Sequence, residues 1–151
     1  MKISSAARPA APAKILLVDD NNHGLIARKA ILTEQGHQVA TAANGQTALE
    51  ILNQGNFDLV ITDYVMPDMD GVALIRQVRE SQPSASIVLL SGFVDMMFLN
   101  ETTTGADAVI CKSAGEIPAL LRTVSKLMAA KACKKPAASV KPVAKTKTQI
   151  S

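Results

Sequence analysis

Five positions in this sequence carry side chains that belong to one chemistry. Asp19 and Asp20 follow the apolar run 15–18, Asp63 follows 59–62, Ser91 follows 87–90, and Lys112 follows 108–111. Three carboxylates gathered at one place repel one another and resist ionising together. A hard divalent cation relieves that repulsion. Mg2+ takes six oxygens in an octahedron, keeps several waters and accepts one or two carboxylates. An ionised Asp63 is also a nucleophile of the kind that forms acyl phosphates. The metal, the Lys112 ammonium and the Ser91 hydroxyl would share the charge on the phosphoryl oxygens. Without a phosphoryl group, a charged Lys112 would pair with Asp63.

The elements that must bring these residues together are legible as an alternation. Apolar runs at 15–18, 38–42, 59–62, 87–90 and 108–111 are separated by helical patterns. Four of the runs are nearly continuous rather than alternating, as in strands covered on both faces. Leu74, Ile75 and Val78 share one helical face, and Ile117, Leu120, Leu121, Val124, Leu127 and Met128 form the longest stripe. Asp70 is placed to cap the third helix. Ser113 and Glu116 have capping-box spacing, but that start would put Pro118 at the fifth helical position, where its ring clashes with a carbonyl. A start at Ala114 or Gly115 keeps Pro118 in the first turn. The alternation predicts an α/β fold, a flavodoxin-like doubly wound (βα)5 sandwich with parallel strand order 2-1-3-4-5. In that order the carboxyl ends of β1 and β3 flank the switch point, where ligands bind, so the three acids converge there.

Composition bounds the rest. The chain has 151 residues, 48% of them hydrophobic, no Trp and one Tyr, which predicts an aliphatic core. The formal net charge of +3 is uneven. All 13 acidic residues lie before residue 131, whereas Lys131, Lys134, Lys135, Lys141, Lys145 and Lys147 stand among Ala, Pro, Val and Thr. The expected organisation is a disordered leader over 1–13, a folded unit over 14–130 and a disordered basic tail over 131–151. No run approaches the roughly 18 apolar residues of a membrane helix, and the leader lacks a signal peptide's apolar stretch. Cys111 and Cys133 make no disulfide framework. These features predict a cytoplasmic protein. His23 and His37 lack metal-ligand spacing and are expected at the surface.

The stretches Ile15-Leu16-Leu17-Val18-Asp19-Asp20, Thr62-Asp63-Tyr64-Val65-Met66-Pro67-Asp68-Met69-Asp70-Gly71, Leu90-Ser91-Gly92, and Gly105-Ala106-Asp107 with Lys112 closely resemble the CheY-like receiver domain of two-component response regulators. Asn44-Gly45-Gln46-Thr47-Ala48-Leu49 adds a further piece, and the resemblance covers about 14–130. It implies that Asp63 is the phosphoacceptor and that Asp20 binds Mg2+ directly, with Asp19 acting largely through water. It also implies that the Val65 backbone carbonyl is a further metal ligand and that Ser91 and Lys112 hold the phosphoryl oxygens. Gly92 would leave room for the donor. The implied donor is a sensor histidine kinase or a histidine phosphotransfer protein, and the implied output is altered binding to a partner. Such a protein catalyses only its own phosphorylation and dephosphorylation, so it is not expected to be an enzyme in the ordinary sense. With no output domain in the sequence, it would act as a stand-alone receiver.

Three positions depart from the family pattern. Ser113 stands where a proline in a cis bond usually follows the lysine, and a cis bond here would cost about 2.5–4 kcal/mol. Val109 replaces the usual inward-swinging aromatic of β5, and Val65 stands where polar residues are common. These departures motivate an alternative, a vestigial receiver that binds protein or nucleic acid without phosphorylation through its tail or its fourth helix. That helix is expected to run from Asp95 over Met96, Met97, Phe98 and Leu99, weakened afterwards by Thr102, Thr103 and Thr104. The tail itself has two readings, a solubilising or acidic-partner arm and a weak, salt-sensitive nucleic-acid contact. An aspartyl phosphatase would place Asp-x-Asp after the first strand, unlike the adjacent pair here. Taken alone, an Asp-Asp pair after a strand is an ordinary turn and helix cap; Asp63 and Lys112 are what make it a site.

Overall fold

The computed structural model describes residues 12–92, 100–113 and 115–140. The strands are β1 (Lys14–Val18), β2 (Gln38–Ala42), β3 (Leu59–Asp63), β4 (Ser86–Ser91) and β5 (Ala108–Cys111). They alternate with α1 (Asn22–Glu34), α2 (Gly45–Gln54), α3 (Gly71–Ser81), α4 (Glu101–Thr104) and α5 (Glu116–Val140). All four strand pairings are parallel, and the order is β2-β1-β3-β4-β5, as the sequence predicts.

The near-continuous apolar runs are explained by two cores, one on each face of the sheet. Leu16, Val18, Val60, Ile87 and Leu89 point to one side and meet Ala48, Leu52, Leu74, Ile75 and Val78 of α2 and α3. Ile15, Leu17, Leu59, Ile61, Val88 and Leu90 point to the other and meet Leu25, Leu32, Leu120, Val124 and Met128 of α1 and α5. Side chains alternate faces along a strand, so both parities must be apolar.

Helix starts follow the local chemistry. Asn21, Asn44 and Asp70 each accept a backbone N–H three residues on, from Gly24, Thr47 and Ala73. Asp70 thus caps α3 as expected. Gly71, the first residue of α3, lies so close to the Asp63 carbonyl that a Cβ would sit 2.5 Å from its oxygen. Only glycine lets the helix begin against that strand end.

Several expectations are corrected. Asp63 and Ser91 are the last residues of their strands rather than the first residues after them. The threonines do not weaken α4 but build it. Asn100 and Thr103 cap each other reciprocally, Thr104 bonds back to the Asn100 carbonyl at 2.7 Å, and Gly105 ends the helix at φ 81°. The Asp95–Leu99 run lies outside the described residues, as do 1–11 and 141–151. Ala13, assigned to the leader, is buried and donates its N–H to His37 Nδ1 at 2.9 Å. His37 is therefore buried, not superficial, because its ring nitrogen serves a strand-end donor. The last helix starts at Glu116, later than Ala114 or Gly115, with Pro118 still in the first turn. It also continues past 130 to Val140. Lys131 ties it to the sheet by donating to the Asp58 and Ser84 carbonyls at 3.1 and 2.6 Å.

Candidate functional site

The carboxyl ends of β1 and β3 bring Asp19, Asp20 and Asp63 together, with one carboxylate oxygen from each within 4.8 Å of the others. Asp19 and Asp63 are buried and Asp20 is exposed. Lys112, just beyond β5, reaches across to this cluster. Its Nζ lies 2.9 Å from Asp63 Oδ1 and 3.7 Å from Asp19 Oδ2. The lysine is aimed without a cis bond, since no cis peptide occurs among the described residues. Its own N–H donates to the Ser91 carbonyl at 2.8 Å, extending the β4–β5 ladder by one residue. Ser91 is fully buried at the adjacent strand end, paired with Cys111, and its Oγ donates to the Gly92 carbonyl at 3.3 Å.

Burial pushes the Asp63 carboxyl above the usual carboxylate range, and the nearby Asp19 charge pushes the same way. The hydrogen bond and charge of Lys112 oppose both. Burial, with the smaller push from Asp19, outweighs the lysine.

Two residues that the motifs do not mark complete the cluster. Arg28 of α1 donates from Nη1 to Asp19 Oδ2 at 2.8 Å and from Nε to Glu116 Oε2 at 2.5 Å. All three side chains are about nine-tenths buried or more. Burial alone would lower the arginine's pKa, but its bonds and ion pairs with Glu116 and Asp19 outweigh this and raise it. Arg28 had one signal in the sequence. Leu25, Arg28 and Leu32 are the buried residues of α1, so a cation interrupts an apolar face. Glu116 instead reads as a capping-box residue; its carboxylate goes to Arg28, and its backbone N–H takes the Ser113 carbonyl.

The loop from β3 to α3 is pinned. Tyr64 N–H donates to the Leu90 carbonyl, and Gly71 N–H to the Tyr64 carbonyl. Asp68 accepts from Gln46, Gly45 and Met69 N–H groups, which hold its carboxyl below the usual range. Val65 rides on this loop and is 60% exposed. Tyr64 is half-buried against the α2–α3 core, and so is Val109.

The donor set suits a small hard cation, because every candidate side-chain ligand is a carboxylate oxygen. Asp19 is the most committed of the three. Its Oδ2 holds Arg28 and its Oδ1 accepts the Asn21 N–H at 2.9 Å. Asp20 makes no hydrogen bond or ion pair among the described residues, so it is the acid most free to meet a metal directly.

Residues 15–125 match the family model of the response regulator receiver domain. The chain belongs to this family. The receiver is 30% identical over 117 residues to the response regulator receiver protein CpdR of Brucella abortus, covering 78% of this chain and 98% of CpdR. It is also 30% identical to the sensor kinase CckA of the same organism, over 84% of this chain but only 14% of that much longer protein. Among solved structures it superposes on the response regulator TrrA of Thermotoga maritima, in complex with Mg2+ and beryllofluoride. That match has a TM-score of 0.67 and 34% identity, over 76% of this chain and 97% of TrrA. The chemotaxis response regulator CheY4 of Vibrio cholerae matches with a TM-score of 0.69 and 27% identity, over 78% of this chain and 99% of CheY4. Two-component signalling is thus the setting of this receiver. No described helix is long and apolar enough to cross a membrane.

Proposed function

We propose that this receiver accepts a phosphoryl group on Asp63, with Mg2+ bound beside it, from a histidine-phosphorylated kinase or phosphotransfer protein, and that the acyl phosphate changes its binding to a partner. The observation that carries this is Lys112 Nζ at 2.9 Å from Asp63 Oδ1, inside a cluster of three carboxylates. TrrA supports the metal and the phosphoryl mimic, and a structure of histidine kinase ThkA with TrrA supports the donor class.

A carboxylate oxygen of Asp63 forms a bond to phosphorus while the donor's P–N bond breaks, and the imidazole leaves with the electron pair. Burial strips water from Asp63 and keeps it reactive. Lys112 exchanges its pairing with the carboxylate for a phosphoryl oxygen, and the Ser91 hydroxyl turns from the Gly92 carbonyl to another. Bound Mg2+ would be held by Asp20 and Asp63, with Asp19 through water and the Val65 carbonyl as a further ligand, and would neutralise charge on the transferred group. The protein turns over nothing beyond its own phosphoryl group and works in the cytoplasm.

The test is labelling by a small phosphodonor with and without Mg2+. The wild type labels only with Mg2+, and Asp63→Asn does not label. Persistent labelling of Asp63→Asn would remove the assignment. The packing of Val109 against the core, in place of a swinging aromatic, favours a second reading in which output does not depend on phosphorylation. That reading, with binding through the basic tail or the helix-4 face, requires equal partner capture with and without beryllofluoride.

A further inference from the structure

Arg28 joins two carboxylates, Asp19 of the acid pocket, 9 residues before it, and Glu116 on the first turn of α5, 88 residues after it. It makes one bond to each, from two different nitrogens of the same guanidinium. The local charge is then set by four carboxylates, Asp19, Asp20, Asp63 and Glu116, against two cations, Arg28 and Lys112. A divalent cation at the pocket would be repelled by Arg28, which sits on Asp19. Glu116 offsets that repulsion by holding the guanidinium from its far side. The group sits in buried surroundings, where charges act over several ångströms with little screening.

We propose that Glu116 sets the cation affinity of the acid pocket through Arg28, and that cation binding in turn tightens the amino end of α5. The inference rests on the reading of Asp19, Asp20 and Asp63 as a Mg2+ site. Linkage makes it reciprocal: whatever free energy Glu116 contributes to cation binding, the bound cation returns to the Arg28–Glu116 bond. The site thereby gains a route to α5 that needs no aromatic on β5, where Val109 stands. Arg28 acts here as a positioning residue and Glu116 as a remote charge; neither touches the phosphoryl group.

The experiment measures Mg2+ binding by calorimetry and amide hydrogen exchange at residues 116–120 in the full chain. Glu116→Gln keeps an oxygen that can accept the Arg28 Nε–H and removes only the charge. It is expected to weaken Mg2+ binding about fivefold, and to abolish the Mg2+-induced slowing of exchange at the start of α5 that the wild type is expected to show. The effect should persist at about 0.5 M salt, because the group is buried. Glu116→Asp, which keeps the charge, should stay near wild type and remains informative if the glutamine variant folds poorly. Glu34→Gln, which removes a charge from an exposed acid at the far end of α1, should leave affinity unchanged. Equal Mg2+ affinity in wild type and Glu116→Gln overturns the inference while leaving the site intact. So does a Glu116→Asp variant as weak as Glu116→Gln, which would mark a packing role instead. A wild type that binds no Mg2+ overturns the metal site, and the inference with it.

Discussion

At the amino-terminal edge of the sheet, charged and polar side chains end largely on backbone groups; at the carboxyl-terminal edge the charged side chains of the acid pocket also end on one another. Gln82 accepts from the Phe57 N–H and donates to the Leu52 and Gly55 carbonyls. Arg79 donates to the Gly105 and Ala85 carbonyls as well as to Asp107, and Asp58 accepts from the Lys14 N–H. His37 accepts from Ala13. These groups satisfy the strand and helix ends that a packed sheet leaves open. The opposite edge has Arg28 and Lys112 shared among acids, with one acid, Asp20, left uncommitted. One sheet thus carries a saturated end and an end with charge to spare, and only the second has chemistry left to do.

This contrast can be broken by mutation. Arg28→Met leaves Glu116 buried without a cation and Asp19 with only the longer contact to Lys112, and should cost about 3–5 kcal/mol in denaturant unfolding. A loss below about 1 kcal/mol, typical of exposed pairs, would show that the bridge is weak. Gln82→Ala should cost about 2–3 kcal/mol, since it strands buried backbone donors and acceptors, yet leave phosphodonor labelling of the folded protein unchanged. A labelling defect there would mean that the two edges are not independent.

Acid should act mainly on the saturated edge through His37. Burial lowers its pKa in the folded protein. Below about pH 6.5 the unfolded chain therefore binds the proton that the folded chain resists, so stability falls as pH drops towards the folded-state value. Unfolding midpoints measured from pH 7 to 5 should show this slope, and His37→Gln should flatten it. Ser91→Ala should change stability least, by less than about 1 kcal/mol, while slowing labelling. Unchanged labelling would remove the hydroxyl from the site.

The legible parts of this molecule are those written locally. Continuous apolar runs announced strands covered on both faces, and each run ended on a residue of the site, so Asp19, Asp20, Asp63 and Lys112 could be placed before any contact was known. Asp70 read as a cap because capping needs only three residues of context. Arg28 and Glu116 were not legible as a pair, since their meeting depends on α1 and α5 packing side by side. Each also had a nearer explanation, an interrupted apolar stripe and a capping box. His37 looked superficial because nothing in its neighbourhood shows that Ala13 will present it with a donor. Average propensity counts the threonines of α4 against a helix, whereas the helix depends on one asparagine before them, Asn100.

Gln82 has a consequence for how this protein comes apart. One side-chain amide holds the end of α2, the entry to β3 and, through its own backbone at the end of α3, a third segment. Fraying of α3 breaks bonds that the α2–β3 turn depends on, and opening of the turn removes partners from α3. The two events therefore merge into one cooperative unit, and hydrogen exchange should report a single opening free energy for both segments.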